Sequence, residues 1–587
     1  MKEFFKFMFA SMVGFLLSIA VVTIIFFIFI FALVASVDSE KHVKVAENSI
    51  LEITLDHPLK DRTSNNPLKS FNFGSMESNH QLGLNDIVDC IDRAATDKNI
   101  KGIYLNVGQV SGGLASVEEI RNALQRFKSS KKFIVAYAEY YSQNAYYLCS
   151  VADELYLNPQ GDIDFRGYAT QLAFLKGTLE KLEIEPIVIR HGKFKSAIEP
   201  FTNDKMSDAN REQVKRFVDD FWQHTRDGVA ASRKLSPDQV ETIADSMMIE
   251  TPEKAVQFGL ADQLMYEDEV MDLLKKKSGT KNEKPELVSL TKYGHSSESS
   301  EYRKNKIAVI YAVGEISSGE GDDESIGSTT TAADIRKARL DKDVKAIVLR
   351  VNSPGGSALA SDVIWREVSL AKKAKPVVVS MGNLAASGGY YISCAADKIV
   401  AQPNTVTGSI GVFGLMFNMQ KMFNNKLGVT FDTYKTGPYG DLGLPTRPMT
   451  EAERMKIQNG VEHIYDVFTK RVAEGRKMKQ ADVDSIGQGR VWSGSDALKL
   501  GLVDTLGNLG DAVKIAAQLS KTSDYRIYEL PIEKDPFQEI VKDLTGDAKN
   551  AIIKSELGEN ARFYETIKKL ASWQGLQMRL DFDVVVK

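Results

Sequence analysis

The chain has 587 residues, of which 43% are hydrophobic and 26% are charged, and its formal net charge is −4. It is too long for one hydrophobic core and too apolar for bulk disorder, so two large globular units are expected. The near balance of acidic and basic residues argues against a nucleic-acid binder. The wide sequence spacing of Cys90, Cys149 and Cys394 argues against a zinc site or a disulfide framework.

The first predicted element is an apolar helix at the N-terminus. Residues 7–37 contain no charged side chain. A membrane-spanning helix needs roughly 20 apolar residues, which is more than the apolar region of a cleavable signal peptide. We therefore predict an uncleaved transmembrane anchor at 7–37. The alternatives, a buried core helix or cleavage after Ser36, fit so long an apolar run less well.

The charges on either side of this run predict its orientation. Lys2 and Lys6 precede it, whereas Asp38 and Glu40 follow it. Positively charged flanks stay in the cytoplasm, so residues 1–6 are predicted to be cytoplasmic. The residues that follow the anchor are predicted to lie outside the cytoplasm, on the other side of the membrane.

Short apolar runs then alternate with segments of helical spacing, which predicts a layered α/β fold with a parallel sheet. A polar, charged stretch at 276–304 is predicted to be a linker between two domains, 38–275 and 305–545. The C-terminal stretch 546–587 is predicted to be a helical arm. Its apolar residues with helical spacing are Phe563, Ile567, Leu570 and Trp573.

The two halves are copies of one another. When the sequence is displaced by about 244 residues, KGIYLNV at Lys101 aligns with KAIVLRV at Lys345. With the same displacement, YYLCSVADELYLNP at Tyr146 aligns with YYISCAADKIVAQP at Tyr390. Collinear matches of this kind indicate an internal duplication, so the differences between the copies are informative about function.

The second copy carries two glycine-rich motifs, NSPGGS at 352–357 and AASGG around Ser387. Adjacent glycines leave backbone amides free to bind an anion, and small neighbours keep a serine hydroxyl accessible. This combination is typical of a nucleophile with an oxyanion hole, although a glycine-rich turn beside a packed helix has the same pattern. Gln143 occupies the position of Ser387 in the first copy, so only the second half retains the serine.

A serine nucleophile needs a base. The only histidine of the second half, His463, lies in a predicted amphipathic helix and is interpreted as a surface or packing residue. The first copy instead carries the basic segment RHGKFKSAIEPF, in which Lys195 aligns with Gly440 of the second copy. The first copy thus keeps a lysine that the second lacks, and the second keeps a serine that the first lacks. This pattern predicts one composite site built from both copies. In an extended segment Lys193 would face the same way as Lys195, so spacing leaves both lysines open.

Taken together, the apolar N-terminus, the duplication and the motifs GKFKSAIEPF, NSPGGS, AASGGYYIS and NTVTGSIGVFG resemble peptidase family S49. The resemblance is to its long, tandem-domain signal peptide peptidases, called protease IV or SppA. It covers nearly the whole chain and implies tandem duplicated Clp-protease/crotonase-like domains. It also implies a Ser-Lys dyad, with Ser387 as nucleophile and Lys195, favoured over Lys193 by the FKSA match, as general base.

The same resemblance assigns the oxyanion hole to the amides of Gly356 and Gly388, and the orientation of the lysine to Ser409. A lysine with an ordinary pKa of about 10.4 is protonated at neutral pH, so a base must be desolvated or placed near positive charge. The apolar residues that could desolvate it in this segment are Phe194, Ala197, Ile198 and Phe201.

The implied function is the degradation of cleaved signal peptides and other apolar peptides at the membrane surface, without a metal or organic cofactor. The implied setting is a homotetramer in the bacterial inner membrane, with its domains on the periplasmic side. An extended substrate is expected to add to a strand edge near Gly355 and Gly356. The expected apolar pocket residues, which core packing would explain equally well, are Leu384, Val412, Phe413 and Leu415.

Two other functions fit parts of the pattern. A crotonase-like acyl-CoA enzyme would share the fold and the glycines but needs neither the anchor nor a lysine and serine divided between the copies. A catalytically inactive, membrane-tethered peptide-binding scaffold would use the duplicated domains without cutting. Retention of both Ser387 and Lys195 argues against the scaffold.

Overall fold

The computed structural model describes residues 2–38, 44–64, 71–72, 77–78, 81–296, 303–532 and 576–580. Helix α1 (Lys2–Asp38) contains the run predicted to be an anchor. Its segment Glu3–Ile25 is long and apolar enough to cross a membrane by length and composition, and none of it is buried.

The first half contains a parallel six-stranded sheet covered by helices. The strands of the first half as a whole are β1 (Ser49–Ile53), β2 (Phe71–Asn72), β3 (Glu77–Ser78), β4 (Ile100–Asn106), β5 (Phe133–Tyr141), β6 (Glu154–Ile163), β7 (Glu185–His191), β8 (Gln263–Leu264) and β9 (Leu287–Ser289). Its helices are α2 (Leu84–Thr96), α3 (Leu114–Phe127), α4 (Gln143–Cys149), α5 (Lys176–Lys181), α6 (Glu199–Thr202), α7 (Asp208–Arg233), α8 (Pro237–Asp245), α9 (Pro252–Gln257), α10 (Glu267–Ser278) and α11 (Leu290–Gly294). The sheet order is β8-β6-β5-β4-β1-β9.

The second half repeats this plan around an eight-stranded sheet. Its strands are β10 (Lys306–Val313), β11 (Glu315–Ser317), β12 (Ser325–Gly327), β13 (Val344–Ser353), β14 (Gly355–Ser357), β15 (Val377–Ala386), β16 (Lys398–Ala401), β17 (Val406–Gly408), β18 (Val412–Asn418), β19 (Val491–Ser493), β20 (Thr505–Leu506), β21 (Arg526–Leu530) and β22 (Gln577–Arg579). Its helices are α12 (Ser328–Leu340), α13 (Ala358–Ala374), α14 (Gly388–Ser393), α15 (Glu451–Arg476), α16 (Gln480–Ile486), α17 (Gly494–Lys499) and α18 (Leu509–Leu519). The main path of the sheet runs β19-β17-β15-β13-β10-β21.

Equivalent hydrogen bonds show that the halves share one fold. The hydroxyl of Tyr146 donates to the Leu260 carbonyl at 2.9 Å, and the hydroxyl of Tyr390, at the matching position, donates to the Leu502 carbonyl at 2.9 Å. Each tyrosine follows a central parallel strand and lies on a short helix. The predicted duplicated α/β architecture is thereby confirmed.

Two stretches differ from the sequence prediction. Within the predicted linker 276–304, strand β9 pairs in parallel with β1, and Tyr293 of α11 is buried, because apolar side chains here still pack on the first sheet. Within the predicted helical arm 546–587, the described residues 576–580 include a strand instead of a helix, because backbone partners lie on both sides. The residues on which the helical prediction rested, Phe563, Ile567, Leu570 and Trp573, lie outside the described part of the chain.

A third sheet joins the halves, in the order β12-β11-β14-β22-β18-β7. Strand β7 belongs to the first half by sequence, yet it pairs antiparallel with β18 from Glu185↔Asn418 to His191↔Val412. The residues that follow β7 are therefore delivered to the second half. This crossing positions Lys195.

A buried ion cluster also bridges the halves. The guanidinium of Arg350, on β13, lies 2.7 Å from Asp61 Oδ1 and 2.9 Å from Glu119 Oε1, and all three side chains are buried. Desolvation by burial raises the pKa of the Glu119 carboxyl, and the charge of Arg350 opposes that rise. The side-chain amide of Asn352 donates to Asp61 at 2.6 Å, so the cluster is also hydrogen-bonded.

We expect Arg350→Met to lower the free energy of unfolding by about 3 kcal/mol, because two buried carboxylates would lose their cation. The matched control is Lys60→Met. Lys60 forms an exposed ion pair with Glu324 across the same two halves, and exposed pairs contribute about 1 kcal/mol or less. Chemical denaturation followed by circular dichroism measures both. Equal losses in the two variants would contradict the role assigned to the buried cluster.

Candidate active site

Ser387 stands at the junction between strand β15 and helix α14. Its backbone has φ 55° and ψ −112°, a left-handed region that residues other than glycine rarely adopt. The Ser387 amide donates to the Gly408 carbonyl at 2.8 Å, which helps to hold this strained conformation. A Cβ on Gly389 would lie 2.7 Å from the Ser353 carbonyl oxygen, so small residues allow the helix to pack closely behind the serine.

Lys195 follows β7 and enters the second half. The Phe194 amide donates to the Gln488 carbonyl at 2.8 Å. The side-chain amide of Gln213 donates to Ser196 Oγ at 2.9 Å and accepts from the Val491 amide at 3.2 Å. Partners on both sides therefore fix the backbone around a lysine side chain that is only 1% exposed.

The structure brings Lys195, Ser387 and Ser409 together within one chain. Lys195 Nζ donates to Ser387 Oγ at 2.9 Å and to Ser409 Oγ at 3.0 Å. Both serines are buried, and Ser409 also has a left-handed φ of 50°. The amine, contributed by the first half, thus contacts two hydroxyls of the second half.

Two glycines make room for the lysine side chain. A Cβ on Gly489 would lie 2.6 Å from Lys195 Cβ, and a Cβ on Gly411 would lie 3.2 Å from Lys195 Cδ. On the apolar side, the Phe413 ring centroid is 5.9 Å from Nζ. Phe413 also packs with Ala197 and Ile198, so the lysine segment and β18 share one small apolar cluster.

The rival lysine lies elsewhere. Lys193 is exposed, and its Nζ is 5.2 Å from the Phe194 ring centroid. The segment is not extended as the spacing argument assumed, because Gly192 has a φ of +102° and turns the chain. His191 stacks on Tyr465, with 3.7 Å between centroids. His463 is exposed on α15.

The glycines predicted to form the oxyanion hole lie beside Ser387. Gly356 has a φ of +155°, and a Cβ there would lie 2.0 Å from the Ile316 carbonyl oxygen. Gly355, the residue before Gly356, packs directly against Gly388, since a Cβ on Gly355 would lie 2.6 Å from the Gly388 nitrogen. Side chains are therefore excluded at the point where the backbones meet.

The corresponding place in the first half is filled. The side-chain oxygen of Gln143 accepts hydrogen bonds from the amides of Arg166 at 3.0 Å and Gly167 at 2.9 Å. Its amide nitrogen donates to the Gly167 carbonyl at 3.1 Å. Gln143 thus plays a structural part where the other copy has a hydroxyl.

Sequence reasoning did not identify Gln213 or the segment 576–580. Gln213 lies on α7, and nothing in its local pattern distinguishes it from a surface glutamine. The segment 576–580 occupies the strand edge near Gly355 and Gly356 at which a substrate was expected. Of the predicted pocket residues, Val412 and Phe413 are fully buried, whereas Leu384 and Leu415 are half-buried.

A serine hydroxyl in contact with a buried amine, beside backbone amides, is an arrangement suited to nucleophilic acyl transfer. Within the described residues, no group of three or more His, Cys, Asp or Glu side chains is placed to hold a metal ion.

Comparison with known proteins identifies the class of protein to which the chain belongs. Residues 126–281 and 369–523 each match peptidase family S49, and residues 314–407 match Clp protease. The chain is 40% identical to Protease 4 of Salmonella typhi over 79% of this chain and 76% of that protein. It is 34% identical to Protease 4 of Haemophilus influenzae over 90% of this chain and 89% of that protein. It is also 34% identical to the chloroplastic serine protease SPPA of Arabidopsis thaliana, over 92% of this chain and 78% of that protein.

These matches define a serine protease. The chain belongs to peptidase family S49, and the family match occurs once in each half.

We expect Gly489→Ala to lower kcat/KM for peptide hydrolysis by about a hundredfold, because the new methyl group displaces the Lys195 backbone, and small displacements of reacting groups have effects of this size. Gly501→Ala is the matched control. Gly501 has a similar φ of +76°, but no atom lies within 4 Å of its added Cβ. Similar losses of activity in both variants would show that backbone strain, and not the position of Lys195, is responsible.

Proposed function

We propose that the chain is a membrane-anchored serine endopeptidase that uses a Ser-Lys dyad to degrade cleaved signal peptides and other apolar peptides. The observation that carries this proposal is the 2.9 Å contact between Lys195 Nζ and Ser387 Oγ, made between the two halves of one chain and buried from solvent. Membership of peptidase family S49 supports a protease over an acyl-CoA enzyme.

In the proposed mechanism, neutral Lys195 takes the Ser387 proton while Oγ attacks a peptide carbonyl carbon. The amides of Gly356 and Gly388 stabilise the oxyanion. Lys195 then protonates the leaving amine and activates the water that hydrolyses the ester. Ser409 is a positioning residue in this scheme, since its hydroxyl accepts from the same Nζ at 3.0 Å.

The surroundings of the lysine support its role as a base. The Lys195 side chain is buried, and a charged group in general loses solvation away from water. The Phe413 ring and the nearby side chains of Ala197 and Ile198 supply this apolar environment.

We further propose that α1 crosses the inner membrane of a bacterium and leaves the catalytic halves on the periplasmic side. The apolar segment Glu3–Ile25 and the basic residues Lys2 and Lys6 before the predicted span support this orientation. An enzyme tethered in this way meets apolar peptides released from precursors at the membrane surface.

The proposed assembly is a homotetramer, as the family resemblance implies. A surface between β18 and α15 supplies exposed apolar side chains for contact between copies. They are Leu427, Val429, Phe431, Tyr434, Tyr439, Leu442 and Leu444.

Hydrolysis of a fluorogenic apolar peptide by the full chain in detergent tests the dyad. We expect Ser387→Ala to abolish cleavage and Lys195→Ala to reduce kcat by about a thousandfold, within the range of general-base contributions. Ser409→Ala should reduce it by about tenfold, since only the orientation of the lysine is affected.

Lys193→Ala is the matched control, because Lys193 lies on the same segment but is exposed. It should retain wild-type activity. An active Ser387→Ala variant would overturn the proposed dyad. An inert wild type in every oligomeric fraction would favour a peptide-binding scaffold instead.

A further inference from the structure

The chain's own residues 576–580 fill the gap between strands β14 and β18. Strand β22 pairs antiparallel with β14 in the register Gly355↔Arg579, Gly356↔Met578 and Ser357↔Gln577. On its other side, Gln577 pairs antiparallel with Phe413 of β18. An extended segment is thus held by backbone on both edges, immediately beside Ser387.

The register places one carbonyl beside the two glycines whose amides are assigned to the oxyanion hole. The Leu580 amide donates to the Pro354 carbonyl at 2.7 Å, and the Ala358 amide donates to the Leu576 carbonyl at 3.3 Å. Hydrogen-bonded pairs alternate along an antiparallel ladder, so Gly356 and Met578, midway between, form the next such pair. A Cβ on Gly388 would lie 3.0 Å from the Met578 carbonyl oxygen. That oxygen therefore lies between Gly356 and Gly388.

The side chains on either side of this carbonyl lie in apolar surroundings. Met578 is fully buried in the cluster that contains Ile316 and Val412. A Cβ on Gly414 would lie 3.1 Å from a methyl carbon of Leu576, so the absence of a side chain there makes room for Leu576. The alternating apolar side chains of Leu576 and Met578 thus occupy two separate apolar sites.

Arg579, directly after that carbonyl, is recognised by charge. Its side chain is buried and forms an ion pair with Glu315 through Nη1 and Oε1. Ile316 is level with Gly356 on the neighbouring strand β11, so Glu315 is level with Gly355, which pairs with Arg579. Because Gly355 has no side chain, the guanidinium can cross over it to reach the carboxylate.

We propose that residues 576–580 are bound as a substrate, that the enzyme cleaves its own chain between Met578 and Arg579, and that Glu315 selects a cationic residue after the cleaved bond. This inference rests on the proposed dyad. It adds a specificity-determining residue and a defined peptide bond to the proposed function.

The reaction is balanced within the chain and water. Ser387 Oγ bonds to the Met578 carbonyl carbon as Lys195 takes the hydroxyl proton. The Met578–Arg579 C–N bond then breaks, and the proton passes from Lys195 to the Arg579 amine. Water hydrolyses the resulting ester, which leaves a carboxylate on Met578 and restores the Ser387 hydroxyl.

Mass spectrometry of the purified full chain tests this proposal. Wild-type chains should end at Met578, whereas Ser387→Ala chains should retain residues 579–587. Glu315→Arg should raise the uncleaved fraction at least tenfold, because like charges would oppose each other. Adding Arg579→Glu to Glu315→Arg should restore cleavage. The control, Glu324→Arg, changes a nearby exposed carboxylate and should resemble the wild type.

A fluorogenic apolar peptide separates failure of this inference from failure of the proposed function. If wild type cuts that peptide but its own chain still retains residues 579–587, self-cleavage is wrong and the proposed protease stands. If Glu315→Arg chains are cleaved as fully as wild type, the selectivity assigned to Glu315 is wrong. If neither the peptide nor the chain is cut, the proposed function and this inference both fail.

Discussion

The site depends on one contact between the halves, the hydrogen bond from Lys195 Nζ to Ser387 Oγ. Neither half contains both groups, so the contact exists only while the halves are docked. Pairing of β7 with β18 carries the lysine segment across, and the buried Arg350 cluster joins the halves at a second place. Burial of the amine needs the same docking, because its apolar neighbour Phe413 belongs to the second half. Position and desolvation of the lysine therefore have one structural cause.

Duplication explains how such a division arose without loss of fold. The two copies keep equivalent strands and the equivalent hydrogen bonds of Tyr146 and Tyr390, which serve the core of each half. In the first copy, the side chain of Gln143 accepts hydrogen bonds from the backbone amides of Arg166 and Gly167, and it stands where the second copy has the Ser387 hydroxyl. On the proposed dyad, each copy depends on the other for one group, and separation of the halves would remove activity. This mutual dependence favours an extensive, buried interface over a flexible tether.

Much of this arrangement could be predicted from the sequence, and the exceptions have physical reasons. The α/β alternation and the duplication follow from local patterns. Comparison of the copies singled out Ser387 and the basic segment of the first copy, and the family resemblance favoured Lys195 in that segment. Spacing could not separate Lys195 from Lys193, since the turn at Gly192 depends on a backbone angle and not on the residue period. The pairing of β7 with β18 could not be predicted either. A strand pattern specifies which residues alternate, but the partner is chosen by packing between distant segments.

The conformation of segment 576–580 also could not be predicted from its local sequence. Two strand pairings define its conformation, and both partners are far away in the sequence. An apolar pattern outside the described residues suggested a helix for the whole C-terminal stretch. The local sequence Leu576 to Leu580 alternates apolar and polar residues, which is compatible with a strand, but five residues are too few to distinguish a strand from a helix by period. The gap between β14 and β18 is what selects the extended form.

That gap also constrains any other peptide that enters it. It is one strand wide, and both neighbouring strands offer backbone groups to whatever lies between them. A helical peptide already satisfies its own backbone hydrogen bonds and cannot pair with either edge. On the proposed function, a bound substrate must therefore be extended, with main-chain bonds giving affinity and alternate side chains giving selectivity. Inside lipid, an extended peptide would leave its backbone unsatisfied. On the proposed function, a signal peptide must accordingly leave the bilayer core before Ser387 can reach it, so the enzyme acts at the membrane surface and not within the membrane.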